Sequence, residues 1–197
     1  MKHVNTGLVM TASLLLMCSC GQASPTSSLL ESEETALSAE PLATKTVYVN
    51  WTEDEQVMEM CLNQEKVLDR NDQHFPVFKL ATREELDRFA ETFDGILSLD
   101  QAYGEFPSFI EATAGYDEAF FASHSLLMAY VTAGSGSLRF AIADIKLNDT
   151  LACLEITQLN HPMTYTSDMA GWLLMAEIPH IGDEVECDAL MMASEAK

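Results

Sequence analysis

Basic residues are scarce in this chain. Its 197 residues include 10 Lys and Arg against 31 Asp and Glu, a formal net charge of −21. Nucleic-acid binding needs clustered cations to replace counterions, so that class is excluded. The same shortage excludes an electrostatic grip on anionic lipid. The acidity serves solubility and mutual repulsion at a crowded surface, and it would attract a basic partner or divalent cations. No apolar stretch reaches the length of a membrane-spanning helix. No internal repeat is visible. Cysteine is sparse: five residues, with no C-x-x-C and no close Cys/His pair. Zinc-type spacing is therefore missing, and neither a metal nor a cofactor is expected.

What is present begins at the first residues. Lys2 and His3 precede an apolar stretch, Gly7 to Met17, followed by Met17-Cys18-Ser19-Cys20-Gly21. A short charged start, a short apolar core and a small residue before the cut describe a secretory signal peptide. The cysteine after that small residue resembles a bacterial lipobox. Cys20, preceded by Ser19, fits better than Cys18, preceded by bulky Met17; Met17 also stands where leucine is usual. Residues 1–19 are thus expected to be a lipoprotein signal peptide. Cys20 is expected to carry the lipid on the extracytoplasmic face of the cell membrane. Removing 1–19 takes away one Lys and no acid, leaving a net charge of −22. Association with the membrane then rests on the lipid anchor. Three cysteines remain, Cys61, Cys153 and Cys187, so one disulfide at most can form and the pairing stays open. Free, buried thiols are the expected state in an anaerobe.

Residues 20–44 are rich in Ser, Thr, Ala, Glu and Pro and nearly free of aromatics, the composition of a disordered tether. From residue 45 to 197 a single extracytoplasmic domain is expected, long enough for one core. Val47, Val49 and Trp51 alternate with polar neighbours, as in a strand. Phe75–Leu80 is a second strand. Thr82-Arg83-Glu84-Glu85 forms a capping-box pattern, followed by Leu86, Phe89, Ala90 and Phe93 at helical spacing and then Gly95. Residues 98–115 look irregular, and Tyr116–Phe121 suggests one or two helical turns. Leu126–Thr132 is a nearly continuous apolar strand, expected where both faces are covered. Leu138, Phe140 and Ile142 alternate, with a phase shift before Ile145 that marks a bulge. Asn148-Asp149-Thr150 is a hairpin turn. Strands follow at Leu151–Leu159 and Gly171–Ile178, with an acidic edge strand at Asp183–Leu190. The pattern predicts an α+β fold: a mostly antiparallel β-sheet, with one main helix and short helical turns packed on one side.

No motif reaches a catalytic assignment. Ser135 and Ser137 sit in a G-S-G-S turn that lacks the strand-to-helix context of a nucleophile elbow. Asp69–His74 fails the calcium-loop template, with His74 at the sixth position and Leu80 at the twelfth. His74, His124, His161 and His180 are scattered. Glu177 is an acid inside an apolar strand, expected on its solvent side. His161 to Trp172 is the most distinctive loop, since sheet scaffolds commonly carry function on such segments. Ser135, Ser137, Thr164, Tyr165, Thr166 and Asp168 are therefore the candidate binding residues.

Several stretches resemble a group of uncharacterised lipoproteins of low-GC Gram-positive bacteria. They are the lipobox, Leu80 to Leu86, Tyr116-Asp117-Glu118-x-Phe120-Phe121, Leu126-Leu127 with the Ser135-Gly136-Ser137 turn, and Thr166-x-Asp168-Met169-Ala170-x-Trp172. More distantly, the strand-rich half is similar to the C-terminal domain of PrcB-type lipoproteins, accessory subunits of surface protease complexes. That resemblance implies a partner-binding role without catalysis. Thr164 to Asp168 stands where that family has a glycine-rich segment, and no functional residue is carried over.

The expected function is a membrane-anchored, non-catalytic binding or accessory module. Its partner would be an envelope protein such as a protease or transporter subunit, with no nucleic acid involved. The alternatives are a surface hydrolase working through paired carboxylates and a purely structural envelope protein.

Overall fold

A computed structural model describes residues 42–69 and 73–192. The expected signal peptide, Cys20, nearly all of the stretch read as a tether and part of the Asp69–His74 segment lie outside the described residues.

Apolar side chains that alternate along a strand must be covered on each apolar face, and here the central strands are apolar on both. Sheet A has the order β1-β6-β3-β2 and is wholly antiparallel. Its strands are β1 (Thr44–Tyr48), β2 (Val77–Leu80), β3 (His124–Ala133) and β6 (Ala170–Pro179). One face presents Val47, Phe78, Leu126, Met128, Tyr130, Leu173 and Met175 to the helices. The other presents Val77, Leu127, Ala129, Val131, Trp172, Leu174 and Ile178 to a second sheet. Sheet B has the order β4-β5-β7, from β4 (Phe140–Leu147), β5 (Leu151–Gln158) and β7 (Glu186–Met191). The fold is α+β, dominated by antiparallel sheet, in three layers of helices, sheet A and sheet B.

Local chemistry explains the elements. The main helix, α3 (Arg83–Phe93), follows Thr82, whose hydroxyl accepts from the Glu85 N–H at 3.1 Å. The Glu85 carboxylate reaches one residue further back than a capping box requires and accepts from the Ala81 N–H at 2.6 Å. Gly95 then adopts φ +76°, the left-handed conformation that closes the turn. The expected bulge lies between Ile142 and Asp144.

Four features differ from expectation. The region 98–115 contains a helix, α4 (Phe109–Thr113), with a reciprocal Ser108–Glu111 capping box. Short helices α1 (Glu55–Glu59) and α2 (Gln64–Leu68) precede β2, whereas α5 (Glu118–Phe121), before β3, is the helical turn expected within Tyr116–Phe121. β7 is the edge of sheet B as expected, but it runs parallel to β5. Its outer side is bridged by the 73–75 segment, through His74 opposite Leu190 and Phe75 N–H to the Ala189 carbonyl at 2.9 Å. The sheet itself begins inside the stretch read as tether: Thr44 pairs with Ala176, and Ala43 accepts from the Glu177 N–H.

Candidate functional site

The end of sheet A that holds the C-terminus of β3 and the N-terminus of β6 carries two long loops. One is 134–139, leading from β3 to β4; the other is 159–169, leading from β5 to β6. Ala133 pairs with Ala170, so the strands deliver both loops side by side.

Four of the six candidate residues meet there. Ser135, fully buried, lies 2.9 Å from the hydroxyls of both Ser137 and Thr166. Thr166 in turn hydrogen-bonds the Asp168 side chain, which with the Gly136 backbone holds that carboxyl below its usual range. The Gly136 N–H donates to the Asp168 carbonyl at 2.9 Å. A Cβ on Gly136 would meet the Asp168 carboxylate, which would have to rotate aside, so glycine lets the two approach as they do. Asn160 seals the base, donating to the Ser137 carbonyl and accepting from the Arg139 N–H, both at 2.8 Å. Arg139 donates to the carbonyls of Gly136 and Leu138 at 2.6 and 2.9 Å. Its guanidinium lies 5.0 Å from the Trp172 ring centre. Tyr48, Tyr103 and Phe106 pack edge-on around the same indole.

The other two candidates, Thr164 and Tyr165, stand at the solvent side of the loop. Tyr165 is 63% exposed, and Met163, Leu159 and Met169 are 100%, 63% and 46% exposed. A rigid hydrogen-bonded base therefore displays an apolar tip. Residues 156–176 contain one acid, Asp168, and no Lys or Arg. In so acidic a chain, a stretch with a single carboxylate repels another acidic surface little.

The hydroxyl chain is built for holding rather than for reaction. Ser135 has hydroxyl partners and no adjacent histidine or lysine to take its proton, and its burial denies substrate access. Cys153 is no better placed. Burial, then the charges of Asp188 and Glu155, push its thiol up to about 11, so at neutral pH it is protonated.

Among the described residues the buried acids are Glu155 and Asp188. Lys146 pairs with Glu155, while Asp188 meets Lys66 at 3.0 Å, His74 Nδ1 at 2.8 Å and Asn63 Nδ2 at 3.0 Å. Burial raises the Asp188 pKa, but these hydrogen bonds outweigh it and hold the group ionised below the usual carboxylate range. A glycosidase-type acid needs the opposite shift, so this arrangement gives the hydrolase reading no support. Asp188 was expected to face outward along an alternating strand. It does point away from sheet A, but Asn63, Lys66 and His74 cover it. Glu177 is likewise half-covered, accepting from the Tyr116 hydroxyl at 2.9 Å with Lys45 at 3.6 Å. Sequence reasoning missed both clusters because their partners are distant in the chain. Among the described residues, no three of His, Cys, Asp and Glu converge as a metal site would require. Nor is any helix among them long and apolar enough to cross a membrane.

A cleft that the sequence did not signal opens at this same end of sheet A. It has a volume of about 550 Å³ and lies between α1, α2, the start of β2 and the end of β3. Comparison of the chain with family models, curated proteins and solved structures finds no match.

Proposed function

We propose that this chain is a lipid-anchored extracytoplasmic accessory module that binds an envelope protein and performs no chemistry. The 159–169 loop would be its principal contact. The observation that carries this reading is the exposed set Leu159, Met163, Tyr165 and Met169 on a base tied by Ser135, Thr166, Asn160 and Arg139. Exposed apolar groups on a preorganised support are what a binding surface needs, because little ordering entropy is lost on contact. Tyrosine and methionine are also types enriched at interfaces. The lipobox-like Met17 to Cys20 segment supports placement at the membrane, with Cys20 as the anchor.

The test uses the anchored full chain on intact cells, with a photo-crosslinking side chain at position 165 or, as control, at 87 on α3. One discrete adduct is expected from 165 and none from 87. The adduct should disappear when Met163 and Met169 are both changed to Ser. Equal adducts from both positions, or none from 165, would reject the loop as the contact. In the same cells Cys20→Ala should move the protein from the membrane to the soluble fraction; retention would reject the anchor.

A further inference from the structure

The cleft beside the loops has a chemistry of its own. Its volume of about 550 Å³ lies within the usual range of ligand sites. Trp51, Val57, Met58 and Phe75 supply apolar wall, and the segment 51–54 supplies the rim. The floor is Tyr130, buried beneath, whose hydroxyl accepts from the Thr52 N–H at 2.9 Å and donates to the Asn50 carbonyl at 3.3 Å. Burial pushes this phenol up to about 12, so the floor is neutral. Exposed Glu53 and half-exposed Asp54 stand together at the mouth, and among the described residues that line the cleft there is no Lys or Arg; His74, also in the lining, is held by Asp188 at 2.8 Å. Asp54 also caps α1, accepting from the Gln56 N–H at 2.8 Å.

We infer that this cleft receives a short cationic-apolar peptide segment of a partner protein, its apolar side chain between Trp51 and Phe75 and its Lys or Arg beside Glu53 and Asp54. Charge complementarity selects this occupant. A fatty acid or phospholipid would bring its anionic head to two carboxylates on a chain of net charge −21. A polar cationic peptide would leave the aromatic and aliphatic wall unused. A cationic-apolar segment satisfies both halves, the apolar part giving affinity and the charge giving selection and faster encounter. The inference stands on the cleft alone and does not require the loop contact proposed above.

Trp51 provides the readout, because the chain has two tryptophans and the other, Trp172, is fully buried. The full chain carrying Cys20→Ala is titrated in detergent-free buffer with capped tetrapeptides of sequence Lys-Leu-Leu-Lys, Glu-Leu-Leu-Glu and Lys-Ser-Ser-Lys, and with decanoate. The expected result is a saturable change in tryptophan emission with Lys-Leu-Leu-Lys, at least roughly tenfold tighter than with any other probe. Glu53→Lys, an exposed change that the fold tolerates, should weaken it roughly tenfold at unchanged melting temperature. Tyr165→Ser should leave it unchanged, which separates this site from the loop. Absence of saturable binding, equal binding of the anionic peptide, tighter binding of decanoate, or indifference to Glu53→Lys would each overturn the inference.

Discussion

Asp188 shows how one residue can tie a segment to a sheet. Asn63, Lys66 and His74 lie against β7, and their side chains converge on this carboxylate. Removing one partner of a buried, hydrogen-bonded charge leaves the others unsatisfied, which costs more than the net worth of the pair. Asp188→Asn should therefore lower stability by about 3 kcal/mol in urea denaturation at pH 7. The pH dependence has a definite sign. The folded pKa is depressed, so the stabilisation is fully present above the unfolded value of about 4 and is lost as pH falls through the folded one. The gap between wild type and Asp188→Asn should narrow as the pH is lowered from 4. A constant gap across that range would show that Asp188 acts through shape rather than charge.

At the scale of elements, the joining of β1 to β6 rests on Gly171. Its carbonyl accepts from the Val49 N–H at 3.0 Å, and a Cβ there would occupy the place of the Asn50 carbonyl. Asn50 turns the chain with φ +64°, ending β1 earlier than the Val47-Val49-Trp51 alternation predicts. Trp51 consequently leaves the sheet and becomes part of the cleft wall. Gly171→Ala should cost about 3 kcal/mol, since a backbone carbonyl cannot rotate aside as a side chain can. Helix ends should respond more mildly. Ser108→Ala removes one half of the α4 capping box and should cost about 1 kcal/mol, measurable as a shift in the denaturation midpoint. That box is legible in the sequence as Ser108-x-x-Glu111. It was hidden by the Gly and Pro around it, which suggested an irregular connection.

At the scale of the described domain, the two sheets form a sandwich with helices on the outer face of sheet A, and its stability depends on where the chain enters it. Leu42 packs against the core between the sheets, and Ala43 and Thr44 bond to β6. A chain starting at Leu42 should melt within about 2 °C of one starting at Cys20, whereas one starting at Lys45 should melt several degrees lower. Calorimetry on the two truncations decides this. Equal melting temperatures would mean that the first rung of β1 contributes nothing.

The sequence by itself determined where the strands and the main helix form, though not the short helices α1, α2 and α4. Period-two alternation, continuous apolar runs in β3 and β6, the Thr82 cap and the Asn148–Thr150 turn are local signals, and local signals act before any tertiary contact forms. It also contained the candidate loops, because G-S-G-S and the 159–169 segment are unusual in composition. Tertiary structure decided what those signals could not. A continuous apolar strand says that both faces are covered, but not that helices cover one and a second sheet the other. Ser135 and Thr166 are 31 residues apart, and Asn63 and Asp188 are 125 apart. No periodicity links such pairs; only packing of the layers brings them within hydrogen-bond reach. The cleft has the same origin, since its floor comes from β3 and its walls from helices α1 and α2, more than sixty residues earlier in the chain.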